Sequence, residues 1–195
     1  MSSNDISREV ARRVLAREFN DVTYTFKESD DEMAPLYALL PTGERANRVY
    51  FVGTLTETET VGDDGDIWRG RIVDPTGTFF VYAGRYQPEA ARVLRDLSPP
   101  AYVAVAGKPR TYETDDGTIN VSVRPESVTP VDVGTRDRWT VEAAERTLDR
   151  IEAFEDGASE DVMLAREQYG DDVSAYREAV ISALEDVLDG VETPA

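Results

Sequence analysis

Residues 68–84 read WRGRIVDPTGTFFVYAG, and this stretch gives the clearest indication of the fold. Both halves have the composition of β-strands, and turn-forming residues lie between them at 75–77. Because side chains on a strand alternate between the two faces of a sheet, Ile72, Phe79 and Val81 are predicted to point into a core. The stretch therefore predicts a β-hairpin with one buried face and one outer face.

The outer face of this hairpin is predicted to combine bases and rings. The same alternation places Arg69 and Arg71 outside on the first strand. It places Phe80 and Tyr82 outside on the second strand. Trp68 shares the parity of the inward residues, but it lies where the strand begins, and twist or a bulge there can redirect a side chain.

Further strands extend the hairpin to a five-stranded unit. The predicted strands are 48–61, 67–74, 78–84, 101–108 and 119–125, with a short helix at 88–97. Three strands, a short helix and two more strands, with Gly53 in the first strand, form the pattern of the OB fold. That fold is a small barrel that binds oligonucleotides across strands 2 and 3 and the adjoining loops. The predicted class is mainly β with helical extensions (α+β).

Helices and short strands are predicted on both sides of the barrel. Residues 4–19 carry apolar side chains at a spacing of four and predict an N-terminal helix. Short strands are predicted within 21–28 and 35–41. The C-terminal helices are predicted at 137–156, within 157–172 and at 173–191, packing on the barrel, on each other or on a partner.

This order divides the chain into three parts. Residues 1–44 are predicted to be an N-terminal helix and short strands that pack on the barrel. Residues 45–133 form the OB-fold domain, and residues 134–195 form an acidic helical region.

The chain is strongly acidic, with 39 Asp and Glu against 21 Lys and Arg and a net charge of −18. Only Lys27 and Lys108 are lysines. Acid excess with few lysines favours a surface adapted to the salty cytoplasm of a halophile, because salt screens repulsion between carboxylates. The alternative is an ordinary acidic protein. The charge is uneven: residues 45–130 carry −2 and residues 131–195 carry −12. This local near-neutrality favours a nucleic-acid role for the barrel's arginines.

Composition excludes several kinds of chemistry. The chain has no Cys and no His, which removes disulfides, thiolate or imidazole metal sites and His-dependent nucleophiles. The aspartate runs at 63–66 and 115–117 are interpreted as hairpin turns rather than calcium loops. No enzyme activity, cofactor or metal is predicted. No segment predicts a membrane span or signal peptide, so a cytoplasmic location is expected.

The candidate site is a single-strand-binding surface on the barrel. Strands 4 and 5 add bases and a ring to those of the hairpin. The predicted nucleic-acid-binding residues are Trp68, Arg69, Arg71, Phe80, Tyr82, Lys108, Arg110, Tyr112 and Arg124. A cationic groove with rings on which bases stack is how such proteins hold a strand. The alternative is that the rings pack under a neighbouring element and the arginines pair with local acids.

Five segments resemble haloarchaeal RPA-associated proteins, which are small subunits encoded with replication protein A (RPA). The segments are RVYFVGTLTETE (48–59), WRGRIVDPTGTFFVYAGRYQPEAA (68–91), PPAYVAVAGKPRTYETDDG (99–117), VSVRPESVT (121–129) and RDRWTVEAAERTLDRIEAF (136–154). The resemblance, which covers about residues 5–155, implies an OB fold, a role with RPA in DNA replication and repair, and no catalytic residues. It also implies that Trp68 and Tyr112 occupy positions similar to those of stacking rings in RPA OB folds.

The combined prediction is a single-stranded DNA-binding accessory subunit of an RPA complex. Its expected partners are single-stranded DNA and the RPA large subunit or other RPA-like subunits, with no membrane. The alternative is an assembly or interaction module of the RPA complex that has little direct contact with DNA.

Overall fold

The computed structural model describes residues 9–157 and 159–192. The strands are β1 (Arg12–Arg13), β2 (Thr25–Phe26), β3 (Tyr37–Leu39), β4 (Arg45–Ala46), β5 (Val49–Val61), β6 (Ile67–Asp74), β7 (Gly77–Ala83), β8 (Ala101–Glu113) and β9 (Ile119–Pro130). The helices are α1 (Ala16–Phe19), α2 (Pro88–Asp96), α3 (Val133–Asp156), α4 (Glu160–Tyr169) and α5 (Ser174–Glu192).

Five strands close into a barrel. Their order is β5, β6, β7, β9, β8, and β8 pairs with β5 to complete the circle. Neighbouring strands are antiparallel except β7 and β9, which run parallel and pair at Val81 and Val123. Helix α2 connects β7 to β8 and packs on β6, β7 and β9. The predicted five-stranded OB-fold barrel with helical extensions is confirmed.

The barrel core follows the predicted alternation. Ile72 and Phe79 are fully buried, and the rings of Phe51 and Phe79 stack with their centroids 3.8 Å apart. A Cβ atom at Gly53 would lie 2.6 Å from the carbonyl oxygen of Val73. Only glycine therefore allows β5 and β6 to approach this closely.

The N-terminal segment differs from its prediction. Of the helix predicted over 4–19, residues 4–8 lie outside the described residues, and within 9–19 only α1 is helical. β1 instead pairs in parallel with the start of β5. The physical reason is burial on two sides: Val14 packs in the barrel core, while Leu15 packs against side chains of α3 and α5. An extended chain points successive side chains in opposite directions, whereas a helix does not.

Side chains from before residue 45 complete the barrel core. Phe19, Val22 and Leu40 belong to the same buried cluster as Phe79, and the rings of Phe19 and Phe79 lie 5.5 Å apart. The predicted short strands are confirmed as β2 and β3, which join β4 in a small antiparallel sheet.

Asp74 joins α1 to the hairpin turn. Its buried carboxylate accepts hydrogen bonds from the Ala16 N–H at 2.8 Å and the Gly77 N–H at 3.0 Å. The N–H and hydroxyl of Thr76 each donate to it at 2.7 Å. Burial raises the pKa of Asp74, while these four bonds oppose the rise. The turn between β6 and β7 is thus fixed by its own aspartate.

The C-terminal helices form a layer on one side of the barrel. Helix α3 packs on β5 and β8, and α5 packs on α3 and α1. The buried guanidinium of Arg150 on α3 pairs with Glu18 on α1, with Nη2 to Oε2 at 2.7 Å. The prediction of C-terminal helices that pack on the barrel and on each other is confirmed. Among the described residues, no helix is long and apolar enough to cross a membrane.

Candidate nucleic-acid interface

Helix α3 covers only part of the barrel's outer surface. Its Trp139 contacts the Tyr50 ring of β5, with centroids 5.1 Å apart, and Arg136 lies over Tyr102 at the start of β8. The outer face of β6, β7, β9 and the second half of β8 carries the predicted site residues. The predicted site residues therefore lie outside the contacts that α3 makes through Trp139 and Arg136.

Two tyrosines and two arginines enclose a shallow pocket on this face, which we call the aromatic pocket. It has a volume of about 430 Å³, and its lining residues are Ile67, Tyr82, Arg110, Tyr112, Ser122, Val123 and Arg124. The Tyr112 side chain is 47% exposed. Partial burial raises the pKa of Tyr112, and the neighbouring Tyr82 adds to the rise. The Tyr112 phenol is therefore a neutral ring near pH 7, and the Tyr82 ring beside it offers a second surface suited to stacking.

The cations of β8 and β9 lack counter-ions. Within the described residues, Lys108, Arg110 and Arg124 form no ion pair and their side chains make no hydrogen bond. The Nε atom of Arg110 is buried without a hydrogen-bond partner. Burial lowers the pKa of Arg110, and the adjacent Arg124 lowers it further. This arrangement leaves positive charge facing the pocket unneutralised, although the chain has almost twice as many acids as bases.

The β6 cations, Arg69 and Arg71, contact side chains of the neighbouring strands. Arg69 is ion-paired with Glu59 on β5, and its guanidinium lies over the ring of Phe80. Arg71 donates a hydrogen bond to the Thr56 hydroxyl at 3.0 Å. Both arginines and Phe80 lie on the outer face as predicted, but Arg69 and Phe80 contact each other and Arg71 bonds to Thr56 through one of its N–H groups.

Trp68 is half-buried and packs against the barrel core. It lies opposite Ala83 of β7 and Thr60 of β5 in the strand register. The structure thus brings together five of the nine predicted residues in or beside the aromatic pocket, namely Tyr82, Lys108, Arg110, Tyr112 and Arg124. The other four, namely Trp68, Arg69, Arg71 and Phe80, pack against the barrel or bond to its own side chains.

A second concavity adjoins the aromatic pocket, and we call it the α2 basin. Its volume is about 620 Å³, and it lies between the start of α2 and the β8–β9 pair. Arg110 and Arg124 line both concavities. Tyr86, which is 78% exposed, lines the basin and is not among the residues that the sequence predicts for the site. It lies in the loop before α2, where no alternation indicates the direction of a side chain.

The tip of the β8–β9 hairpin is a turn, as predicted for 115–117. The Asp116 carboxylate accepts hydrogen bonds from the Thr118 N–H at 3.0 Å and from the Thr114 hydroxyl. These bonds, led by that of Thr114, lower the pKa of Asp116 to about 2. Gly117 has a φ of 84°, which a glycine adopts without strain. The aspartate therefore holds the turn that places Tyr112 at the pocket.

Comparisons with known proteins agree with the barrel. No family model matches the chain, and no curated protein is similar to it in sequence. Among solved structures, the Stn1–Ten1 complex of S. pombe superposes with a TM-score of 0.54 at 9% identity, covering 83% of this chain and 100% of the matched chain. At this identity the likeness shows the OB fold alone.

Two further solved structures match a smaller part of this chain, with lower TM-scores. One is a replication protein A heterotrimer bound to single-stranded DNA, with a TM-score of 0.49, 16% identity, and coverage of 73% of this chain and 98% of that chain. The other is the mitochondrial single-stranded DNA-binding protein Rim1 of S. cerevisiae, with a TM-score of 0.34, 17% identity, and coverage of 44% and 94%.

Proposed function

We propose that this protein binds single-stranded DNA through the aromatic pocket. The observation that carries the proposal is the pairing of two tyrosine rings, Tyr82 and Tyr112, with two arginines that have no counter-ion, Arg110 and Arg124. Stacking of a base on a ring contributes about 1–3 kcal/mol, and cations neutralise the phosphates beside it. A protein surface that supplies both elements on an open barrel face fits a single strand.

The resemblance to RPA-associated proteins supports a more specific role. We propose that the chain is an accessory subunit of an RPA complex acting in DNA replication and repair, in the cytoplasm of a halophilic archaeon. The acid excess and the scarcity of lysine support the halophilic origin. In molar salt, counter-ion release contributes less to affinity, so the rings carry more of it.

Fluorescence anisotropy of a labelled oligo-dT strand tests the proposed binding. We expect Tyr112→Leu and Arg110→Gln each to weaken binding by about ten-fold, which corresponds to about 1.4 kcal/mol. Arg177→Gln is the matched control, because Arg177 lies on α5 and pairs with Glu155. Equal affinities for Arg110→Gln and Arg177→Gln would show that the pocket does not contact the strand.

A specific feature of α5 favours assembly with another subunit as a second candidate function. Ile181, Leu188 and Val191 are 51%, 61% and 71% exposed, at a spacing that places them on one side of the helix. Exposed apolar stripes of this kind mark protein interfaces. We propose the RPA large subunit or another RPA-like subunit as the partner.

Co-purification of the full chain with the RPA large subunit tests this assembly role. We expect Leu188→Glu to abolish capture while leaving the melting temperature unchanged, because Leu188 is exposed. Met163→Glu is the control, since Met163 is an equally exposed apolar residue on α4. Capture of the Leu188→Glu chain at the native level would exclude the α5 stripe as the docking element.

A further inference from the structure

The α2 basin contains a pair of like charges that faces no counter-ion. Lys108 on β8 lies directly opposite Arg124 on β9 in the antiparallel register. Like charges at directly opposed positions destabilise a sheet. Neither side chain has an ion-pair partner among the described residues. An anion bound between them would remove this repulsion.

The acids that line the basin do not supply that anion. Glu126 is held by Arg48, with Oε2 to Nη2 at 2.9 Å. Glu89, in the first turn of α2, is exposed and forms no ion pair with the described cations of the basin. The positive charge of Lys108 and Arg124 therefore stays directed at the solvent in the basin.

The basin continues the aromatic pocket along one strand. Lys108, Arg110 and Tyr112 are every second residue of β8 and therefore share its outer face. At about 3.3–3.4 Å per residue, each is about 7 Å from the next along the strand. This step is comparable to the separation of successive phosphates in an extended single strand. Arg110 and Arg124 line both concavities, whereas Lys108 lines only the basin, so a backbone leaving the aromatic pocket passes the two arginines and then reaches Lys108 opposite Arg124.

The α2 basin also contains an aromatic ring, that of Tyr86. Tyr86 is 78% exposed, and Arg85 holds it through a hydrogen bond to its hydroxyl at 2.8 Å and through a guanidinium 4.8 Å from the ring centroid. One face of the ring is thus backed by a cation, and most of the side chain remains accessible. A base that stacks on the accessible face of Tyr86 would complete a second unit of ring and cations.

We propose that the α2 basin is a second subsite for single-stranded DNA, in which Lys108 and Arg124 bind a phosphate and Tyr86 stacks the following base. The subsite rests on the proposed function, because it extends the strand that starts in the aromatic pocket. The track then runs along β8 and β9 toward α2, away from Arg71 on β6. The α2 basin therefore binds only those DNA strands that are long enough to extend beyond the aromatic pocket.

The experiment compares two labelled oligo-dT strands, of about 4 and about 12 nucleotides, within the range of site sizes found for OB folds. Binding is measured by anisotropy from about 0.1 to about 1 M KCl for the native chain, Lys108→Gln and Tyr86→Leu. For the long strand, Lys108→Gln is expected to reduce the slope of log affinity against log salt by about 0.7, the value for one lost phosphate contact. Tyr86→Leu is expected to weaken the long strand about five-fold or more, and neither variant to change the short strand by two-fold.

Lys27→Gln is the matched control, because Lys27 is the only other lysine and lies in the N-terminal segment. It is expected to leave the slope unchanged. If Lys108→Gln and Lys27→Gln behave alike while the native chain binds both strands, the second subsite is wrong and the aromatic pocket stands. If Lys108→Gln or Tyr86→Leu weakens the short and the long DNA strand by the same factor, a separate second subsite is also excluded. If the native chain binds neither strand, the proposed function fails, and the subsite with it.

Discussion

The guanidinium of Arg69 lies over the ring of Phe80, with 5.4 Å from Cζ to the ring centroid. The same guanidinium is ion-paired with Glu59, so one side chain connects β5, β6 and β7. Phe80 is also half-buried, unlike the exposed Tyr86, so a ring that is both partly covered by the sheet and in contact with a cation is less available to a base. Arg69 and Phe80 therefore fit a role in holding the hairpin better than a role in holding DNA.

Substitution of Phe80 separates these two roles. We expect Phe80→Leu to lower the free energy of unfolding by about 1 kcal/mol, through loss of the cation–π contact and of part of the packing. Affinity for oligo-dT is expected to stay within two-fold of native. Denaturant unfolding and anisotropy measure the two effects. A ten-fold loss of affinity at native stability would place Phe80 in the binding site.

The buried pair of Arg150 and Glu18 ties α3 to the N-terminal segment. Thr42 also donates to Glu18, and the Arg150 Nε atom lies 3.1 Å from the Thr42 hydroxyl. We expect Arg150→Met to lower the free energy of unfolding by about 3–5 kcal/mol, because it leaves the Glu18 carboxylate buried without its cation. The measurement is denaturant unfolding followed by circular dichroism.

The double variant tests the reason for that loss. If the cost is that of an unpaired buried charge, adding Glu18→Leu to Arg150→Met recovers a large part of the stability. If the double variant is less stable than Arg150→Met alone, the loss comes from packing rather than charge.

The barrel was predictable because its signals are local. Alternation fixes the inward residues of each strand, and Pro, Gly and Asp mark the turns, as Asp74 and Asp116 show. The helix at 4–19 was predicted from a stripe that includes Val10 and Val14, yet Val10 is 72% exposed. A two-residue parallel pairing with β5 overrides that stripe, and sequence periodicity contains no information about such a distant partner.

The sequence predicts which residues lie on the binding face, but not which of their charged groups lack an ion-pair partner. Parity places Arg69 and Arg110 on the same outer surface. Whether a guanidinium is free depends on which acid lies across the neighbouring strand, and Glu59 is ten residues from Arg69 along the chain. Tyr86 is not predicted because the side chains of a loop, unlike those of a strand, do not alternate between two faces. Pairing in three dimensions therefore decides which of the predicted cations can meet a phosphate.

Tyr176 gives α5 a pH-dependent attachment. Its hydroxyl donates to Asp21 at 2.8 Å, and burial first, then this bond, raises the pKa of Tyr176. The unfolded phenol ionises near pH 10, while the folded phenol keeps its proton. The interactions of the protonated Tyr176 phenol therefore contribute fully to stability below about pH 10. The free energy of unfolding falls as the pH rises above that value. Urea unfolding at a series of alkaline pH values measures the fall, and Tyr176→Phe is expected to reduce it; an unchanged slope in that variant assigns the fall to other groups.

Gly107 connects the fold to the binding residues. A Cβ atom there would lie 2.4 Å from the Arg124 carbonyl oxygen, at the irregularity where β8 and β9 shift register. We expect Gly107→Ala to push the strands apart, lower the free energy of unfolding by about 1–3 kcal/mol and weaken oligo-dT binding, because Lys108 and Arg124 move with them. Gly190→Ala is the control, since nothing lies within 4 Å of its added methyl group. Native affinity in Gly107→Ala would contradict the dependence of the site on this strand pair.

The salt dependence of DNA affinity distinguishes the contribution of the rings from that of the cations. The contribution of a phosphate contact to log affinity falls with log salt at about 0.7 per contact, so the cost of Arg124→Gln is expected to shrink about five-fold between about 0.1 and 1 M KCl. Stacking has no such dependence, so the cost of Tyr112→Leu stays constant over the same range. Anisotropy titrations of both variants at the two salt concentrations provide the comparison. If the tyrosine variant loses its effect in salt as the arginine variant does, Tyr112 does not stack a base, and the aromatic pocket acts through its charges alone.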